Sequence, residues 1–134
     1  MSKVLIASHA NMASGTVSSL DFLSGMGSEV EVIDAYVNGN DDFSSQLDAF
    51  LKENEGRNAV IFTDLEGGSV NQKILIKTAA LPNITVVTQF NLAVVIATVL
   101  SGNDLDLQEV QKLVDKCQVK IAGITKSDVP EDSF

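Results

Sequence analysis

Tryptophan is absent from this chain, and tyrosine, cysteine and histidine occur once each. Without a set of aromatic rings there is no platform on which nucleic-acid bases could stack. A single cysteine, Cys117, cannot close an internal disulfide, and its use suits a reducing cytoplasm. One His and one Cys also fall short of the usual zinc ligand set, so neither a metal nor another cofactor is expected. Basic residues are scarce: 9 Lys and Arg against 18 Asp and Glu leave a net charge of -9. Such a surface repels phosphate backbones and anionic lipid headgroups, which argues against nucleic acid as a partner. It favours basic protein partners, or simply good solubility. Long apolar runs are missing too. Leu92–Val99 is the longest, far short of the ~20 residues that span a bilayer. No basic segment followed by an apolar stretch and a cleavage site opens the chain, so export is not expected and the cytoplasm is the expected location.

What is present is patterned. Hydrophobic residues make up 45% of 134, an ordinary share for one globular domain with a real core. Four apolar, β-branched runs stand out: Lys3–Ser8, Glu29–Tyr36, Asn58–Thr63 and Ile84–Thr88. The first, third and fourth lack clean alternation, as strands covered on both faces do; the second alternates, as an edge strand does. Helical periods lie between and after them. Ala13, Val17, Leu20 and Leu23 mark one; Phe43, Leu47, Phe50 and Leu51 mark another. Ile74, Leu75, Thr78 and Ala79 mark a third, with Ser69 placed as its N-cap. The fourth stripe, Leu92, Val95, Ile96, Val99 and Leu100, is closed by Gly102. The fifth, Leu107, Val110, Leu113, Val114 and Cys117, follows Asp104 and Asp106.

Strands alternating with helices predict an α/β fold: a doubly wound, mostly parallel four-stranded sheet of order 2-1-3-4 with helices on both faces. Val119–Ile124 is a candidate fifth strand. Residues 1–126 form the expected domain, and residues 127–134 a polar tail containing Pro130.

In a doubly wound sheet, ligands gather at the carboxyl ends of strands where the strand order reverses. For order 2-1-3-4 that point lies between the first and third strands. The first strand runs into His9, within "VLIASHANMASG"; the third, "AVIFT", runs into Asp64, followed by "LEGGS". A carboxylate on one imidazole nitrogen fixes the tautomer, leaves the other lone pair free to attack and stabilises positive charge on the ring. Gly67 and Gly68 permit close approach of an anion, and the helix opened at Ser69 turns its N-terminal N–H groups towards phosphate. A second helix N-terminus, around Asn11–Ser14, is expected at the same place. Taken singly, these residues have ordinary readings: a lone histidine packs, an aspartate after a strand makes a turn, and a Gly-Gly pair is a tight bend. Cys117 reads as a core residue and Glu66 as a solvated loop residue. Only the coincidence of His9, Asp64 and the glycine turn at the switch point describes a histidine that accepts a phosphoryl group.

Three stretches, "VLIASHANMASG", "VIFTDLEGGSVNQ" and "TQFNLAVV", resemble the mannose-family EIIA domains of the bacterial phosphoenolpyruvate-dependent sugar phosphotransferase system (PTS). The similarity runs through essentially the whole chain. It implies that His9 accepts phosphate from phospho-HPr through Nε2 and passes it to a histidine of an EIIB component. By the same resemblance Asp64 orients the ring, the Gly68–Ser69 turn holds the phosphate, and membrane EIIC and EIID components are indirect partners, with the protein peripheral to that complex. Family members form homodimers by exchanging a C-terminal strand, for which Val119–Ile124 is the matching segment. Three positions depart from the family pattern: Ala10 where glycine is common, and Val70 and Ala93 where proline is usual. Two other functions fit the same sheet. One is the phosphotransferase subunit of a dihydroxyacetone kinase; the other is a non-catalytic flavodoxin-like regulatory module.

Overall fold

Consecutive buried residues in the first strand serve two cores, because side chains of a strand alternate between faces. In the computed structural model, which describes residues 3–102 and 104–123, β1 (Val4–His9) sends Val4 and Ile6 to one face and Leu5 and Ala7 to the other. It is flanked by β2 (Val30–Ala35) and β3 (Ala59–Thr63), and β4 (Ile84–Val87) lies beyond β3. Every pairing is parallel and the order is β2-β1-β3-β4, as the sequence predicts. Ala7 lies opposite Ile33 on one side and Thr63 on the other. This register brings the carboxyl ends of three strands to one rim.

Among the described residues, five α-helices cover the sheet. The face of Val4, Ile6 and Phe62 packs on α1 (Met12–Ser24), α4 (Leu92–Ser101) and α5 (Leu107–Lys116), through Leu20, Val95 and Val110 among others. The face of Leu5, Ala7 and Ile61 packs on α2 (Ser44–Glu53) and α3 (Ser69–Thr78), through Leu47, Phe50, Val70 and Ile74. Side-chain caps open two of the helices: Asn91 accepts the Val94 N–H at 2.8 Å, and Asp106 accepts the Glu109 N–H at 2.9 Å. Gly102 closes α4 in the left-handed conformation, with φ 62°. Among the described residues, no helix is long and apolar enough to cross a membrane.

Four expectations need correction. Ser69 is not the N-cap of α3: Gly68 holds that position and Ser69 is the first helical residue, so its hydroxyl is free for the site. β4 is half-buried throughout instead of covered, because it ends the sheet. Leu75, Leu23, Leu100 and Leu107 belong to the helical stripes of the sequence yet are exposed; α3 buries Val70, Asn71, Ile74 and Thr78 instead. Finally, the described residues of the candidate fifth strand, 119–123, form no strand, and Val119 and Ile121 are 84% and 98% exposed. Ile124 and the tail at 127–134 lie outside the described residues.

Candidate functional site

Strain collects at the rim where the strands end. Ala10 follows β1 with φ 52°, Tyr36 follows β2 with φ 68°, and Gln89 follows β4 with φ 53°. Side-chain-bearing residues seldom adopt positive φ, and such outliers cluster where a structure over-determines them for function. Backbone hydrogen bonds hold the first two. The Ala10 N–H donates to the Ala35 carbonyl at 3.0 Å, and the Tyr36 N–H donates to the Asn40 carbonyl at 2.8 Å. These bends turn the chain sharply after the last ladder pair of β1 and β2, leaving His9 and Tyr36 side by side above the sheet. Their ring centroids are 5.6 Å apart.

β3 supplies the carboxylate. Asp64 Oδ2 accepts two hydrogen bonds from one residue: the His9 backbone N–H at 2.7 Å and His9 Nδ1 at 2.8 Å. Its other oxygen accepts the Leu65 N–H at 3.0 Å. Burial pushes the Asp64 carboxyl pKa up, but the His9 backbone N–H, the imidazole hydrogen bond and charge, and the Leu65 N–H together hold it below the usual carboxylate range. Asp64 is therefore ionised at neutral pH and can only accept. In the neutral ring Nδ1 must then carry the proton, which leaves the lone pair on Nε2. The carboxylate side chain is only 7% exposed while the imidazole is 38% exposed. The orienting group is sheltered and the reactive edge is open.

Nε2 faces the start of α3. Ser69 Oγ is 3.3 Å from it, and the same oxygen is 2.7 Å from the Tyr36 hydroxyl. The turn before the helix brings backbone and imidazole together: a Cβ on Gly68 would stand 3.3 Å from His9 Cε1 and 3.2 Å from the Leu65 carbonyl. Gly67 has φ 75°, which a side chain rarely tolerates. The N–H groups of Ser69, Val70 and Asn71 form the first turn of α3, where no intrahelical carbonyl can accept them, so the positive end of the helix faces the imidazole. Asn71 in turn ties the helix to β3, accepting the buried Thr63 hydroxyl at 2.8 Å.

Asp64, Gly68 and Ser69 thus stand against His9, and Gly67 lies in the turn that leads into α3. The second helix N-terminus does not contribute as expected. In α1 the Ala13 N–H donates to Ser8 Oγ at 2.7 Å and the Ser14 N–H to Asp34 Oδ1 at 3.0 Å, so those donors are already satisfied. The sequence pattern does not single out Tyr36, although its place directly after an apolar strand is the available signal. Lys73, one turn into α3, stacks its ammonium 5.6 Å from the Tyr36 ring centroid and 5.4 Å from that of Phe43. Among the described residues no cluster of His, Cys, Asp and Glu is arranged to hold a metal ion.

The fold recurs in known proteins. A mannose/sorbose-specific IIA subunit of the phosphotransferase system from Enterococcus faecalis superposes with a TM-score of 0.74 at 22% identity, covering 92% of this chain and 98% of its own. The PTS IIA protein associated with the fucose utilization operon of Streptococcus pneumoniae gives 0.67 at 26% identity, with 90% and 96% covered. The phosphotransferase system component EIIA of Streptococcus agalactiae gives 0.70 at 23% identity, with 87% and 91% covered. A comparison with curated proteins yields no significant match. By sequence, residues 3–118 match the family described as EIIA-man, PTS system fructose IIA component. With 22–26% identity to those structures, the likeness of shape alone establishes the fold; the match along nearly the whole domain goes further, and this chain belongs to the EIIA-man family of sugar phosphotransferase system IIA components.

Proposed function

We propose that the protein is a phosphocarrier in which His9 Nε2 accepts a phosphoryl group from phospho-HPr and passes it to a histidine of an EIIB component. One observation carries this reading: Nδ1 is bound at 2.8 Å to an ionised carboxylate, while Nε2 is turned outward against the open end of α3. In the first transfer the Nε2 lone pair forms a bond to phosphorus as the bond to the donor nitrogen breaks, and that electron pair returns to the donor imidazole. The Nδ1 proton stays on His9. The ring therefore becomes positively charged as the phosphoryl group arrives, and Asp64 stabilises that charge through the hydrogen bond it already makes. Phosphoryl transfer needs mainly in-line positioning and charge stabilisation, both of which a fixed imidazole at a helix N-terminus supplies. The second transfer reverses these roles, with phospho-His9 as donor.

Gly67, Gly68 and Ser69 are the phosphate-holding turn in this reading. The protein then works on the cytoplasmic side of a membrane complex, touching EIIC and EIID only through EIIB. The exposed Val119 and Ile121, together with the outer edges of β2 and β4, which are unpaired among the described residues, support a homodimer in which segment 119–124 pairs with a sheet edge of a second copy. The test is incubation with phosphoenolpyruvate, enzyme I and HPr, followed by intact mass and acid treatment. One acid-labile phosphoryl group per chain is the expected result, and an unmodified mass refutes the proposal.

A further inference from the structure

The sole tyrosine of the chain stands at the rim with its hydroxyl 2.7 Å from Ser69 Oγ, and it is 41% exposed. A large side chain at φ 68° with an exposed ring contributes little to the core, so its position calls for another reason. The direction of each hydrogen bond around it follows from Asp64. An ionised Asp64 forces the proton onto Nδ1, so Nε2 can only accept. The contact at 3.3 Å then has Ser69 as donor to Nε2. A serine has one hydrogen, and with that hydrogen committed to the imidazole, Ser69 Oγ accepts from Tyr36. The chain runs Tyr36 O–H to Ser69 O–H to His9 Nε2, and from His9 Nδ1–H to Asp64.

The two lengths differ in a useful way. The Tyr36–Ser69 bond at 2.7 Å is at the ordinary optimum for hydroxyls, whereas Ser69–Nε2 at 3.3 Å is long. Ser69 is held from the tyrosine side and only loosely engaged with the nucleophile. Nε2 can therefore shed it when an electrophile approaches, and the same Ser69 hydrogen, still aimed at the rim, is ready for an oxygen of the arriving phosphoryl group. We infer that Tyr36 is a positioning residue for phosphoryl transfer, acting through Ser69 by fixing where the serine hydrogen points. This inference rests on His9 being the phosphoryl acceptor, and it adds a residue to that site which neither the glycine turn nor the Asp64–His9 pair requires.

Tyr36→Phe tests it without disturbing the ring contacts to His9 and Lys73. Phosphoryl transfer from phospho-HPr is followed by rapid quench in the wild type, Tyr36→Phe, Ser69→Ala and the double variant. In parallel, ¹⁵N NMR of the unphosphorylated protein reads the single imidazole. Tyr36→Phe is expected to slow transfer about fivefold, the scale of one neutral hydrogen bond. The double variant should be no slower than Ser69→Ala, since residues that act through one another are not additive. The Nε2 resonance should move downfield in Tyr36→Phe, as the serine hydrogen is no longer directed at it, and the hydroxyl deletion should add no shift in the Ser69→Ala background. Wild-type rate and unchanged Nε2 in Tyr36→Phe would overturn the inference, as would a double variant slowed by the full product of the two single effects. If the wild type takes no phosphoryl group at all, the phosphocarrier reading fails separately. The NMR comparison then decides the hydroxyl chain alone, an unmoved Nε2 in Tyr36→Phe counting against it.

Discussion

Replacing Asp64 by Asn changes one atom's chemistry and confronts the side chain with a geometric conflict. The carboxylate receives three N–H donors: two on Oδ2, from the His9 backbone and Nδ1, and one on Oδ1, from Leu65. An amide has one acceptor oxygen, and its nitrogen only donates. If the amide oxygen takes the Oδ2 position, the NH₂ group meets the Leu65 N–H, and His9 keeps its tautomer but loses the adjacent charge. Hydrogen bonds to charged groups are worth about 1.5–3 kcal/mol, so losing charge assistance of about 2–3 kcal/mol in the transition state slows transfer roughly 30- to 150-fold. If the amide turns the other way, its nitrogen points at Nδ1 and the proton moves to Nε2, removing the nucleophilic lone pair. The loss then approaches the ~10⁴-fold seen when an orienting carboxylate becomes an amide. Rapid-quench transfer from phospho-HPr measures the rate, and ¹⁵N NMR of the only histidine distinguishes the two tautomers. A wild-type rate in Asp64→Asn would show that Asp64 is a turn residue and that the imidazole needs no orientation.

Three further outcomes are expected. His9→Ala abolishes acid-labile phosphorylation while the unfolding midpoint stays close to wild type, because the imidazole sits at the rim; retained labelling would refute the assignment, since the sequence holds no second histidine. Asp64 has a folded pKa below its unfolded value of about 3.9, so its stabilisation is fully present above that pH and is lost as pH falls through the lower, folded value. In urea unfolding, the stability gap between wild type and Asp64→Asn should be present at about pH 5 and close below about pH 4; a gap independent of pH over that range would count against a depressed Asp64. Removing the residues after Lys116 should convert a dimer into monomers or aggregates in light scattering, and a micromolar monomer unchanged by truncation would end the exchange proposal.

Much of this architecture is written in local patterns. Runs such as "VLIA" and "AVIF" are apolar at every position, as a strand covered on both faces requires, and the intervening helical periods call for parallel crossovers. Parallel crossovers then put His9 and Asp64 at the same carboxyl rim, and the sheet order, with β1 beside β3, makes them partners. The finer placement of the site does not follow in that way. Whether Ser69 caps α3 or leads it depends on the dihedral angles at Gly68, and both choices fit the same residues.

What the sequence determines by itself, then, is the alternation of elements, the parallel crossovers and the placing of His9 and Asp64 at the carboxyl ends of their strands. Each depends on periodicity within one element or on the chain order of elements. Tertiary structure alone decides which hydroxyls and amides surround that pair. Tyr36 reaches Ser69 across 33 residues and Ser69 reaches His9 across 60, contacts that exist only once β2, β1 and β3 are in register. The amides of Ala13 and Ser14 are withdrawn from the site by Ser8 and Asp34, although their place at a helix start had promised the opposite. Hydrogen-bond donors are directional and are satisfied by whichever acceptor the packed backbone presents first, and no local sequence pattern encodes that competition.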